Sequence, residues 1–95
     1  MKMILVMADA ARWPEVRDWL HELQVPGYSA FPVIEGAGTS GTHAGDRVHP
    51  GGLVAVFTVV PEESAEAVFD DLVRRRDAAD DRVSRLFLIP VARQA

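Results

Sequence analysis

The stretch GAGTSGTHAGDRVHPGG, residues 36 to 52, holds six of the chain's seven glycines, and its first six residues fit the spacing G-x-G-x-x-G. That spacing cradles a pyrophosphate when the glycines join a strand to a helix, because the helix N-terminus then faces the phosphate. The flanking residues therefore decide the fold. YSAFPVI (28 to 34) precedes the run and reads as a strand, and LVAVFTVV (53 to 60), rich in β-branched residues, follows it and reads as a stronger one. The intervening THAGDRVHPGG has no helical period. With a strand on each side the run is a connection within a sheet, and the dinucleotide reading fails on context. A plain hairpin needs only about two to five residues, whereas a loop beyond about twelve in a compact domain is either functional or without fixed structure.

Working outward, KMILVMA (2 to 8) is a continuous apolar run of strand length, the pattern of a strand buried on both sides. From Pro14, the residues Val16, Trp19, Leu20 and Leu23 fall at i, i+3, i+4 and i+7, so a helix follows; Pro26-Gly27 marks its stop. Pro61 and Glu62-Glu63 open a second helix with Ala65, Val68, Phe69 and Leu72 on one face. Arg74, Arg75 and Arg76 close it, an acidic start and basic end that complement the helix dipole. VSRLFLIPVA (83 to 92) is the last strand. The order β-α-β-β-α-β predicts an α+β, ferredoxin-like fold: a four-stranded antiparallel sheet with two helices on one face and the second and fourth strands at its edges. Proline gives an independent check, since it cannot donate to a ladder and is confined to edges and bulges. Pro32 falls in the second strand and Pro90 in the fourth. Two open edges on so small a sheet predict oligomerisation.

Composition narrows the function. A chain of 95 residues is one domain, spanning 1 to 95, and is too short for a two-half dinucleotide fold. Hydrophobic residues at 48% and charged residues at 25% are globular proportions, and a net charge of −4 speaks against nucleic acid as the main partner. The absence of cysteine removes disulfide and thiolate chemistry and fits a reducing compartment. MILVMA, followed by Asp9, is too short for a signal sequence or a membrane span, so the chain reads as cytoplasmic.

The chain resembles the PII-like nitrogen-regulatory signalling proteins over almost its whole length. VRDWLHELQVPGYSAFPVIEGAG resembles the family's first helix, Gly-Tyr turn, second strand and the G-x-G that begins its long T-loop. TVVPEE is similar to the third strand running into the second helix, and LFLIPVAR to the closing strand with its Val-Ala-Arg. The resemblance implies a non-enzymatic sensor: a compact homotrimer that binds a small-molecule effector, such as an adenine nucleotide, in clefts between subunits. The T-loop, here a shortened and flexible 36 to 52, then reports the ligand to a membrane transporter, enzyme or regulator. Gly36 and Gly38 match the loop-base glycines, whose amides can face a phosphate without a Cβ in the way, and Thr39 follows them. Arg85 falls where the family places a phosphate-contacting lysine, and a guanidinium serves the same oxyanion by a bidentate contact. The glycines and aspartate that the family carries before that position are here Arg82-Val83-Ser84, and the only tyrosine, Tyr28, lies outside the loop.

Two other readings stand beside the sensor. His43 and His49 lie on the glycine-rich run with Asp46 between them and Glu35 at its base, an N/O set that suits a divalent transition metal. Some PII-like relatives are associated with heavy-metal export, which makes metal homeostasis the second hypothesis. The third is a plain ferredoxin-like interaction module of the amino-acid-binding (ACT-like) type, with the loop as a linker. Trp13 and Trp19 read as core or interface anchors, and Arg74-Arg75-Arg76 as the basic end of a helix. Ser40, His43 and Asp46 contain the letters of a catalytic triad, but nothing rigid orients them, so hydrolysis is rejected.

Overall fold

The computed structural model describes residues 1–38, 41–42 and 52–95. Strand β1 (Lys2–Asp9) leads through a 3-10 turn at Ala10–Arg12 into helix α1 (Trp13–Glu22). Strand β2 (Ser29–Val33), the two-residue strands β3 (Ala37–Gly38) and β4 (Gly41–Thr42), and strand β5 (Leu53–Val60) follow. Helix α2 (Glu62–Ala78) and strand β6 (Arg85–Pro90) complete the chain. The main sheet has the order β2-β5-β1-β6 with every pair antiparallel, which is the expected ferredoxin-like arrangement with β2 and β6 outermost. Pro32 and Pro90 therefore sit where a missing amide costs least. β3 and β4 pair with each other as a separate small ribbon, inside the stretch that the sequence reads as a long connection between strands.

Both helices end on the same device, which explains why two boundaries differ from the sequence reading. α1 stops before the expected Pro26, because Gln24 takes a left-handed conformation (φ 55°) and its amide donates to His21 O at 3.1 Å while Val25 N donates to Leu20 O at 3.4 Å. At α2 the left-handed residue is Asp80 (φ 53°); its amide donates to Asp77 O at 3.0 Å and Asp81 N donates to Arg76 O at 3.1 Å. These paired bonds satisfy carbonyls that a helix end would otherwise leave open. The chain then needs residues 81 to 84 to turn, so β6 begins at Arg85 and not at Val83.

The core lies between the sheet and the two helices. Ile4, Val6 and Ala8 of β1 and Val56 and Val60 of β5 pack against Val16 and Leu20 of α1 and Ala65 and Leu72 of α2. Trp13 and Trp19 pack partly buried against this cluster. Arg75 of α2 donates to Asp71 at 2.6 Å and also reaches Glu22 in the last turn of α1, so one guanidinium ties the helices together; the Asp71 bond first, then Glu22, raises its pKa.

Strand β1 departs from the expectation of burial on both sides. Ile4, Val6 and Ala8 are buried under the helices, but Met3, Leu5 and Met7 on the other face are only partly covered. Cross-strand register places Phe31, Phe57, Val59, Phe87 and Ile89 on that same helix-free face. Phe31 is 48% exposed, Phe87 47% and Ile89 37%, and Phe31 meets Phe57 edge-on with centroids 6.4 Å apart. The apolar run in the sequence thus forms a face that the described residues leave partly uncovered, the kind of surface that marks an interaction site. No helix among the described residues is long and apolar enough to cross a membrane.

Candidate functional site

Sheet register brings the start of the glycine-rich run and Arg85 to one end of the sheet. Val33, the last residue of β2, lies opposite Leu53, which in turn lies opposite Asp9 at the end of β1; Arg85 opens β6 opposite Met7. The residues after β2 and those before β6 therefore share an end of the sheet. They do not share an edge: β2 and β6 are separated by β5 and β1, a distance of about 14 Å at the usual strand spacing.

At the β2 edge, Glu35 is exposed and Ile34 is 91% exposed. Gly36 has open space where a side chain would begin, the nearest atom to an added Cβ being Val33 Cγ1 at 4.0 Å. Nothing described within the chain requires glycine there. Gly38 pairs with Gly41 in the small ribbon. Thr39, His43, Asp46 and His49 lie outside the described residues. Among the described residues no group of three His, Cys, Asp or Glu side chains could hold a metal ion. The far end of the run is anchored: Gly52 is buried at φ 75°, a conformation that favours glycine, and its carbonyl accepts from Ala10 N at 3.0 Å.

At the β6 edge the turn before Arg85 is built around a residue that the sequence reading passed over. Asp81, 7% exposed, accepts through Oδ1 from both Val83 N and Ser84 N at 3.0 Å. Ser84, 1% exposed, accepts through Oγ from Asp9 N at 3.2 Å and so fastens the turn to the end of β1. Burial alone pushes the Asp81 carboxyl up; the Ser84 hydroxyl and amide, the Val83 amide and the Arg12 charge outweigh it and hold the group below the ordinary aspartate value. Arg85 is exposed, and its guanidinium folds back on its own turn. Its Nη1 donates to the carbonyls of Arg82 (3.1 Å), Val83 (3.4 Å) and Ser84 (3.3 Å). A sequence signal for Asp81 did exist, since an aspartate two and three residues before small or β-branched residues at a strand start favours this kind of side-chain turn.

The family model for nitrogen regulatory protein P-II matches residues 1–94. The chain belongs to the P-II family. Among solved structures, this P-II protein is similar to CPII, a nitrogen regulatory PII-like protein from Thiomonas intermedia K12 bound to ADP, AMP and bicarbonate. The identity is 22% and the TM-score 0.66, over 97% of this chain and 88% of that one. It is also similar to a DUF3240 family protein from Shewanella baltica OS155, with 15% identity and a TM-score of 0.72, over 99% and 92% of the two chains. The apo form of CPII gives 20% identity and a TM-score of 0.61, over 98% and 92%. At these identities the structural likeness establishes the fold. No curated relative matches the chain.

Proposed function

We propose that this P-II protein is a non-enzymatic sensor that assembles as a homotrimer and binds a small anionic effector, an adenine nucleotide, in clefts between subunits. The observation that carries the reading is the placement of the loop base and of Arg85 at one end of the sheet but on its opposite edges. One copy cannot close a site between them. A neighbouring copy, set beside the first, can present its Arg85 to the Gly36–Gly38 amides. The apolar helix-free face supports the same reading, because it supplies a surface that identical copies can bury against one another.

Within the cleft each residue has a separate task. The amides about Gly36 and Gly38 supply donors that approach an oxyanion closely because no Cβ intervenes. Arg85 supplies the positive charge, with Nη1 engaged on its own turn and the rest of the guanidinium left to meet the ligand. Thr39 follows the glycines and contributes a hydroxyl. The bound state is reported through the 36 to 52 loop to a protein target, a transporter or an enzyme. The ADP and AMP bound to the similar CPII make adenine nucleotides the first ligands to try.

Calorimetric titration with ADP tests the reading. Wild type is expected to bind, and Arg85→Ala to bind more weakly by about 1.5–3 kcal/mol, the usual worth of a hydrogen bond to a charged group. Equal affinities would remove Arg85 from the site.

A further inference from the structure

Asp81 and Arg85 hold the same two peptide groups from opposite ends. The peptide linking Arg82 to Val83 gives its N–H to Asp81 Oδ1 at 3.0 Å and its C=O to Arg85 Nη1 at 3.1 Å. The next, linking Val83 to Ser84, gives its N–H to Asp81 Oδ1 at 3.0 Å and its C=O to Arg85 Nη1 at 3.4 Å. Each peptide dipole thus has its positive end on the carboxylate and its negative end on the guanidinium, an arrangement that favours both charges. Asp81 is more than nine-tenths buried and Ser84 still more so, and the Ser84 hydroxyl accepts from Asp9 N, so the carboxylate side of the turn is fixed to the body of the protein. Arg85, on the other side, is exposed. Rigidity therefore passes in one direction, from Asp81 through two peptide planes to the guanidinium.

We infer that Asp81 is a positioning residue for the effector site, setting the peptide planes on which the Arg85 guanidinium rests and so aiming it before any ligand arrives. This rests on the reading of Arg85 as an anion-binding residue and adds to it the source of the arginine's order. An arginine held in place loses less side-chain freedom on binding, which turns the same contacts into tighter binding. The second oxygen, Asp81 Oδ2, is buried with no hydrogen-bond partner. It is not needed to accept the two amides, so an amide side chain that keeps Oδ1 preserves the turn.

A double-mutant cycle on the full chain, with ADP as the probe and calorimetric affinity as the readout, tests the inference. Asp81→Ala is expected to weaken ADP by about tenfold, comparable to one well-made hydrogen bond, while in the Arg85→Ala background it changes affinity by less than about twofold. Asp81→Asn is expected to stay within about threefold of wild type, because the acceptor remains. If Asp81→Ala does not fold, Asp81→Ser, which can still accept one amide, replaces it and is expected to lose about threefold with Arg85 present and nothing without it. Losses that multiply in the double mutant would show that Asp81 acts independently of Arg85 and overturn the inference. So would an Asp81→Ala chain that melts lower but binds ADP as wild type does. If Arg85→Ala alone leaves ADP binding unchanged, the site reading itself fails and the inference falls with it.

Discussion

Phe31 and Phe87 stand on the two outer strands of the sheet, β2 and β6, and both project from its helix-free face, each about half exposed. Met3, Leu5, Met7 and Phe57 lie between them. An apolar surface that runs from edge to edge calls for a partner, and in the proposed trimer a second and third copy of the chain would supply one.

A charge on this face should separate the copies without unfolding them. Phe87→Asp is expected to convert the proposed trimer to a monomer by light scattering at micromolar concentration, while circular dichroism stays native. Because Phe87 is already about half exposed within the chain, the fold itself should lose only about half a kcal/mol. An intact trimer in this variant would exclude the helix-free face from the interface.

Two glycines of the same loop should respond in opposite ways. Gly36 has an ordinary backbone conformation and open space about it, so Gly36→Ala is expected to leave the melting temperature unchanged or to raise stability by about 0.4–1 kcal/mol, while lowering ADP affinity. Gly52 is buried at φ 75°, and Gly52→Ala should cost about 1–2 kcal/mol of stability. Paired denaturation curves and ADP titrations check both.

Asp81 carries a pH dependence with a definite sign. Its folded-state pKa lies below the unfolded one, so the stability that it contributes is complete above the ordinary aspartate value and is lost as pH falls through the folded value. Urea denaturation of wild type and Asp81→Asn between pH 6 and pH 3 should show their difference constant down to about pH 4 and narrowing below it. A difference that grew on acidification would reverse the assignment.

The fold was legible because its signals were local. A continuous apolar run placed β1, β-branched richness placed β5, period-3.6 patterns placed α1 and α2, and Pro32 and Pro90 marked the edges. What escaped was fixed by backbone geometry or by neighbours distant in sequence. Gln24 and Asp80 end their helices in left-handed conformations that glycine usually occupies, so neither looked like a stop. The apolar character of Met3, Leu5 and Met7 read as burial on both sides, whereas it belongs to a face that the described residues cover only in part. At the site, the sequence named Gly36 and Arg85 through a resemblance, and their placement at one end of the sheet followed only from the register; Asp81 had a local turn signal, but the self-contacts of Arg85 and the bond from Asp9 to Ser84 depend on how the turn meets the end of β1. Thr39, His43 and His49 lie outside the described residues, and Glu35 is exposed.

Mixed assembly reaches the shared cleft most directly. Gly36→Asp places a negative charge on the wall proposed to hold the effector anion, and Arg85→Ala removes the positive charge from the opposite wall, so neither variant alone should bind ADP well. Coexpressed in equal amounts and purified as mixed trimers, they should recover about a third of the wild-type sites at near wild-type affinity, because a mixed trimer of either composition pairs an intact glycine turn with an intact arginine at one of its three sites. Mixed trimers that bind no better than either variant alone would contradict a site formed between one copy's Gly36 and its neighbour's Arg85.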